Sequence, residues 1–344
     1  MVFTTLYQKK ECDVLKTDKK VLNLYFYAKC DSCFIDKMTV IHIPEKVTSS
    51  VLDFLIESTS ASYRNNRSIF NNVFLDFSKV KYIDIEGALS IICFCAAVKR
   101  KNSTANFGYI YPDDSVLSYL ITLGFFGQMS NRVGVIEGQD IVHIENERRM
   151  RQKAKSNKFD SKSVVLPIET IPKKMNTTSG ADFENMVGEF ANHAIDVFDI
   201  LQTSPFYNFS GDDYYLFRQS NIELFKNIFD HSNSWGIASI HARPNYGTTV
   251  CYYDIGVGFK ASIKKFDTEA ESIEWALVDG NTSMSNDDND GYGLIIVEEF
   301  VFSRNGNIKI RSGDCEMQLI SLSSRKKTKV SSFPGAQISF FIPV

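Results

Sequence analysis

The chain has 344 residues, 44% hydrophobic and 23% charged, a balance that excludes global disorder and a fibrous chain and leaves room for two hydrophobic cores. With 38 basic and 41 acidic side chains the net charge is -3, which removes the bulk electrostatic case for nucleic acid or an anionic membrane as partner. No apolar run reaches the roughly 20 residues of a spanning helix, and the first residues reach Lys9, Lys10 and Glu11 without an apolar leader core, so the chain reads as cytoplasmic. The seven cysteines, at 12, 30, 33, 93, 95, 251 and 315, have no repeated spacing that would build a disulfide framework. Cys30 and Cys33 lack both a second pair of zinc ligands and the helix opening of a redox motif, and read as incidental thiols. The load of 27 Phe and 15 Tyr calls for either a large core or a stacking surface.

After an N-terminal extension, 1–37, strand and helix signals alternate through a unit at 38–145. Met38–Pro44 (MTVIHIP) alternates as a strand, Val51–Glu57 reads as a short helix and Asn72–Phe77 (NVFLDF) as an apolar strand. Gly87–Lys99 carries a helical pattern, Ala105–Tyr111 a strand, and Asp114–Leu123 a helix stopped by Gly124. These strands predict a small α/β sheet covered by the helices. The stretch 146–163, rich in Arg and Lys and almost without apolar residues, cannot offset its ordering entropy by burial and reads as a basic linker.

The order NVFLDFSKVKYIDIEGALSIICF, then YPDDSVLSYLITLGF, resembles the STAS domain of anti-sigma factor antagonists. By that resemblance Asp76 is the strand-end Asp, Asp84 and Gly87 are the outer positions of the helix-opening segment, and Pro112 precedes the last helix. Ile85 stands where the family has its phosphorylated Ser, so the resemblance implies a fold and a docking surface without the phosphoswitch. Glu86, next to it, has two readings, part of a phosphate's charge or plain electrostatics at a helix N-terminus.

In the third unit, 164–344, Asp182–Ile200 is expected as a first helix, and His193 within it as structural. In NIELFKNIFDHS, Glu223, Asn227 and His231 recur every four residues and form one polar stripe on a helix whose other face is apolar. Such a stripe either faces solvent or lines up a carboxylate for a nucleophilic water, an amide oxygen for a divalent cation and an imidazole for phosphates. Asp254, Gly256 and Gly258 follow at the end of an apolar strand, where glycines bring backbone close to a flat ligand and a carboxylate can accept from an exocyclic amine. Gly291, Gly293 and Leu294 open a further apolar helix, an arrangement suited to anionic phosphates.

Together these segments resemble the Bergerat-fold ATPases, the superfamily of histidine kinases, anti-sigma factor kinases, gyrase, Hsp90 and MutL. The resemblance implies that Glu223 is the catalytic carboxylate, that Asn227 binds Mg2+, and that Asn227 and His231 with Asp254, Gly256 and Gly258 hold ATP. It places Gly291, Tyr292, Gly293 and Leu294 beside the phosphates and makes Glu269–Asp290 an ATP lid, with Thr282 in its GNTS turn among the nucleotide contacts and Trp275 packing it down. Gly306–Ser312 corresponds to the hairpin strand after that helix, and Pro334–Gln337 introduces a final strand, ISFFIP, with Gly-Ala where the family often has Gly-Thr. The expected fold is therefore α/β, a STAS-like domain followed by a Bergerat sandwich with helices packed on one mixed sheet. The implied function is a Mg-dependent ATP-binding protein, an ATPase or regulatory switch. The alternatives are a protein serine/threonine kinase of the anti-sigma factor kinase type and a non-catalytic nucleotide-binding module. A protein partner or a second protomer would meet the STAS-like domain.

Overall fold

The computed structural model describes residues 38–65, 72–134, 164–174, 181–182, 184–189, 191–192, 210–243, 246–278 and 293–343. The N-terminal extension, the basic linker, Cys12, Cys30, Cys33, His193, Thr282, Gly291 and Tyr292 lie outside them. The described part is a two-domain α/β architecture with helices packed against its two larger sheets, a third sheet being the short pair of Lys46–Val47 with Tyr82–Ile83.

In the N-terminal unit the chain runs β1 (Met38–His42), β2 (Lys46–Val47), α1 (Val51–Asn65), β3 (Asn72–Asp76), β4 (Tyr82–Ile83), α2 (Ile85–Lys101), β5 (Asn106–Ile110), α3 (Asp114–Thr122) and α4 (Phe125–Arg132). β1, β3 and β5 form a parallel sheet in the order β1-β3-β5, and parallel neighbours require crossovers, which α1 and α2 supply. α2 is longer than its apolar pattern because its ends are well made. Asp84 caps it, accepting from the Gly87 amide at 2.8 Å, and Lys99, Arg100 and Lys101 complement the dipole in the last turn. Gly87 is required by packing, since a Cβ there would sit 2.9 Å from the Val47 carbonyl carbon. Gly124, at φ 74°, ends α3 and at once opens α4, a helix the sequence pattern did not reveal. α4 brings Phe125 and Phe126 edge-on to Phe77 and Tyr109, which absorbs part of the aromatic load as core.

The C-terminal unit contains β6 (Val164–Ile171), α5 (Gly211–His231), β7 (Gly236–Arg243), β8 (Gly247–Asp254), α6 (Gly258–Ile263), α7 (Glu269–Ala276), α8 (Gly293–Ser303), β9 (Asn307–Ser321) and β10 (Ser324–Pro343). Its five strands lie in the order β6-β7-β8-β10-β9. The sheet expected to be mixed is antiparallel at each described pairing, because β7–β8 and β9–β10 are joined by tight turns that reverse the chain. β10 is one strand of 20 residues and does not start at ISFFIP; Pro334 and Gly335 sit inside it at a register shift.

Two cores exist, and the five-stranded sheet divides them. On β8, Val250 and Tyr252 face α5 and α8, whereas Cys251 and Tyr253 point the other way. There they join Ile168, Ile237, Ile255 and Phe333 in a single cluster with most of the N-terminal core, including Cys93, Ala96 and Ala97 of α2. The same face is polar on β9 and β10, and the N-terminal unit answers it with carboxylates. Lys309 Nζ donates to both oxygens of Glu86, at 2.9 and 3.1 Å, and Ser339 donates to Glu86 at 2.5 Å. The Arg311 guanidinium donates to Asp53 at 3.0 and 2.8 Å. Glu86 is thus the acidic half of an ion pair between units, a role neither sequence reading gave it. At the far edge Gln128 of α4 donates to the Ile168 carbonyl at 2.8 Å, and Tyr119 meets His241 at 3.1 Å.

Candidate functional site

α5 carries the first group of candidate residues, and its orientation is built from its own sequence. Ser210 and Asp213 form a capping box, and Arg304 pairs with Asp213 to tie the helix start to the end of α8. About two turns on, Asn221 is fully buried; its amide donates to the Phe217 carbonyl at 2.7 Å, and its oxygen accepts from Tyr252 of β8 at 2.8 Å. That contact fixes the rotation of α5, so that Leu224, Phe225, Ile228 and Phe229 enter the core. Glu223, Asn227 and His231 lie along the border of the buried face, half-buried, rather than in open solvent.

Glu223 and Asn227 converge on the first residue of α8. A Cβ at Gly293 would lie 2.9 Å from Glu223 Oε2 and 3.7 Å from Asn227 Nδ2, so a side chain there would push against the tip of Glu223. Burial raises the Glu223 carboxyl above its ordinary range, with Lys226 opposing and Asp230 adding to the shift. Burial also lowers the His231 imidazole, favouring its neutral form. Asp230 beside it holds Lys174 at 2.5 Å, a cation that no motif indicated. Leu294 buries its side chain in the second core, which leaves its backbone as the group able to face a ligand.

Asp254 ends β8 and is 4% exposed. Strand alternation puts it on the same sheet face as Val250 and Tyr252, the side of α5. Its Oδ1 accepts from the Gly256 amide at 2.6 Å, and the Ala336 amide also donates to the carboxylate. Burial nevertheless lifts its pKa to about 7, against the pull of these amides and of Arg100. Each expected glycine has a packing reason. A Cβ on Gly256 would stand 1.9 Å from the Ser232 carbonyl oxygen, the residue that closes α5. Gly258 has φ +77° and lies against Ser312, whose hydroxyl accepts from the Phe259 amide at 3.0 Å. Gly335, at φ +85°, presses on Asp254 itself, with a Cβ placed 2.7 Å from Oδ1. The turn after β8, the end of α5 and the bulge of β10 therefore form one joint around the carboxylate.

The residues brought together are Glu223, Asn227 and Gly293 on one side, and Asp254, Gly256 and Gly258 on the other, linked through Ser232. Trp275 packs near Phe266, with ring centroids 6.3 Å apart, and under Lys265. Sequence reasoning passed over Asn221, Ser232 and Arg100, and named Ser312 and Gly335 only as part of a strand and of the turn before the last strand. Only Gly335, in a Pro-Gly step before a strand, carried a local signal.

Among the described residues, no group of three or more His, Cys, Asp or Glu is arranged to hold a metal ion. Asn227 carries one amide oxygen, the kind of ligand magnesium takes alongside phosphate and water oxygens. Among the described residues no helix is long and apolar enough to cross a membrane. Neither a protein-family model nor a curated protein sequence matches this chain.

Proposed function

We propose that the C-terminal unit is a Bergerat-type module that binds ATP with Mg2+, and that Glu223 activates a water for hydrolysis. The observation that carries this reading is the convergence of a Glu and an Asn, one helical turn apart, on the glycine that opens α8, with a buried strand-end Asp on the same side of the sheet. A carboxylate with a raised pKa suits a general base, the amide oxygen suits a cation that carries phosphates, and the helix N-terminus suits the phosphates themselves. Asp254 would receive the exocyclic amine of adenine. When bound, magnesium supplies charge neutralisation at the phosphates; the chain's own part is to orient them and to hold a base near the attacking water.

The N-terminal unit is proposed to be STAS-like and to act as a regulatory partner in the same chain. Ile85, aliphatic and 1% exposed, offers no hydroxyl for self-phosphorylation, so the kinase alternative requires an acceptor on a separate polypeptide. Turnover of ATP by the wild type and by Glu223→Ala, together with Mg-dependent binding, tests the proposal. The expected result is binding by both and turnover by the wild type only. Binding without turnover in both would leave the non-catalytic module as the function. Wild-type affinity in Asp254→Ala would remove the adenine assignment.

A further inference from the structure

The turn from Asp254 to Gly258 is gripped from two sides. Towards α5, the Val257 amide donates to the Ser232 carbonyl at 3.0 Å, and Gly256 lies against the same oxygen. Towards the N-terminal unit, the Ile255 side chain is buried in the shared core, and its carbonyl accepts a hydrogen bond from Nη1 of Arg100, in the last turn of α2. The Ile255 carbonyl and the Gly256 amide belong to one planar peptide group and point in opposite directions. Arg100 holds one end of that plane, and the other end donates to Asp254 Oδ1 at 2.6 Å. Rotation of the plane would move both bonds together.

α2 is well placed to impose this orientation. Its 17 residues span about 25 Å, and its first turn is fixed to β9 and β10 through Glu86, Lys309 and Ser339. Between the two ends, the small side chains of Cys93, Ala96 and Ala97 let the helix lie close to the sheet. A charge-assisted bond from a guanidinium is directional and strong, and here it comes from a different unit of the chain from the turn it holds.

We propose that Arg100 is a positioning residue for Asp254, acting through the Ile255–Gly256 peptide plane, so that seating of the N-terminal unit sets the affinity of the C-terminal unit for its ligand. The identity of that ligand, an adenine nucleotide, rests on the function proposed above; the mechanical link does not.

The test uses the full chain as wild type, Arg100→Gln, Arg100→Lys and Gln128→Ala. The last breaks a contact between the units at the opposite edge of the sheet, away from Asp254. Two quantities are read, the affinity for MgADP by calorimetry and amide hydrogen exchange over residues 255–258. Arg100 is exposed, so its replacement is expected to leave the fold intact. R100Q is expected to bind roughly tenfold more weakly and R100K to fall between, whereas Q128A binds as wild type does. Exchange at Gly256 rises in R100Q alone. Wild-type affinity and exchange in R100Q would overturn the proposal, and so would equal losses in R100Q and Q128A, which would mean general loosening. If the wild type binds no adenine nucleotide, the proposed function fails and the exchange data judge the link by themselves: faster exchange confined to R100Q supports it, and unchanged exchange overturns it.

Discussion

Replacing Asp53 by Ala tests the seating of the N-terminal unit on the sheet without reference to any ligand. Asp53 receives two bonds from Arg311 and one from the Ser331 amide at 2.9 Å, all across the join. The Arg311 side chain is 4% exposed and its Nε has no partner among the described residues, so loss of Asp53 leaves a buried cation with little beyond the Ser331 carbonyl. Removing one member of a buried pair costs about 3–5 kcal/mol. The 29% exposure of the Asp53 side chain lets water enter and reduces the expectation to about 2–4 kcal/mol. Urea unfolding followed by tryptophan fluorescence is a suitable assay, since Trp235 lies against the shared core beneath Arg132 and reports on the join. The double variant D53A/R311M should recover much of the loss, because a pair is less costly to replace than to break. Burial disfavours the ionised form of Asp53, but Arg311 and Ser331 outweigh it and hold the pKa below 3.8. A depressed carboxylate stabilises the fold above its unfolded pKa and ceases to do so as pH falls through the folded value. The deficit of D53A should therefore be full at pH 7 and should shrink below about pH 4. A change under about 0.5 kcal/mol at pH 7, the range of an ordinary surface substitution, would refute the seating of α1 against β9.

Asp254 should give the opposite pH dependence. Its folded pKa, about 7, lies above the ordinary carboxylate value of 3.8, so the fold gains stability as pH falls through 7; full ionisation costs on the order of 4 kcal/mol, and Asp254→Asn should lack that slope in unfolding measured from pH 8 to pH 5. His241, pushed by burial down to about 4, loses stability in part of the same window, but it does so in both proteins and cancels in the comparison. Gly256→Ala should lower stability by about 3 kcal/mol in the same assay, since a methyl 1.9 Å from the Ser232 oxygen forces the turn and α5 apart. Cys93, Cys95 and Cys251, fully buried and with thiols raised by burial, should escape alkylation in the native protein and react only on unfolding, as read by peptide mass analysis.

The parts of this architecture that were legible in the sequence are those fixed by local chemistry. Asp84 and Gly87 announce the start of α2, the spacing of Glu223 and Asn227 places both on one edge of α5, and D-x-G-x-G marks the end of β8. The join between the units left no such trace. Arg100 meets Ile255 across 155 residues, Lys309 meets Glu86 across 223 and Arg311 meets Asp53 across 258. In β9, moreover, Lys309 and Arg311 alternate with Ile308 and Ile310, the pattern of a strand with one face in the core and one in water. The alternation was real, but the polar face meets carboxylates of the N-terminal unit in place of solvent, and periodicity does not distinguish the two. α4 escaped notice because Gly124 reads as a helix stop, while in the fold it is a joint between two helices.

This arrangement bears on which surfaces are left for a second protein. If the N-terminal unit is STAS-like, the start of α2 is the segment through which its relatives are switched, and here that segment is already engaged. Ile85 is buried, and the Glu86 carboxylate is used up by Lys309 and Ser339. A partner competing for this face would have to break that pair, leave Lys309 without its carboxylate and expose the apolar patch of Cys251, Tyr253 and Ile255. Each of those steps is unfavourable and has to be offset by the contacts the partner makes. The Glu86 charge is fixed in that ion pair; by the proposal made above, ligand binding and docking are coupled at the other end of α2, where Arg100 touches the turn that carries Asp254.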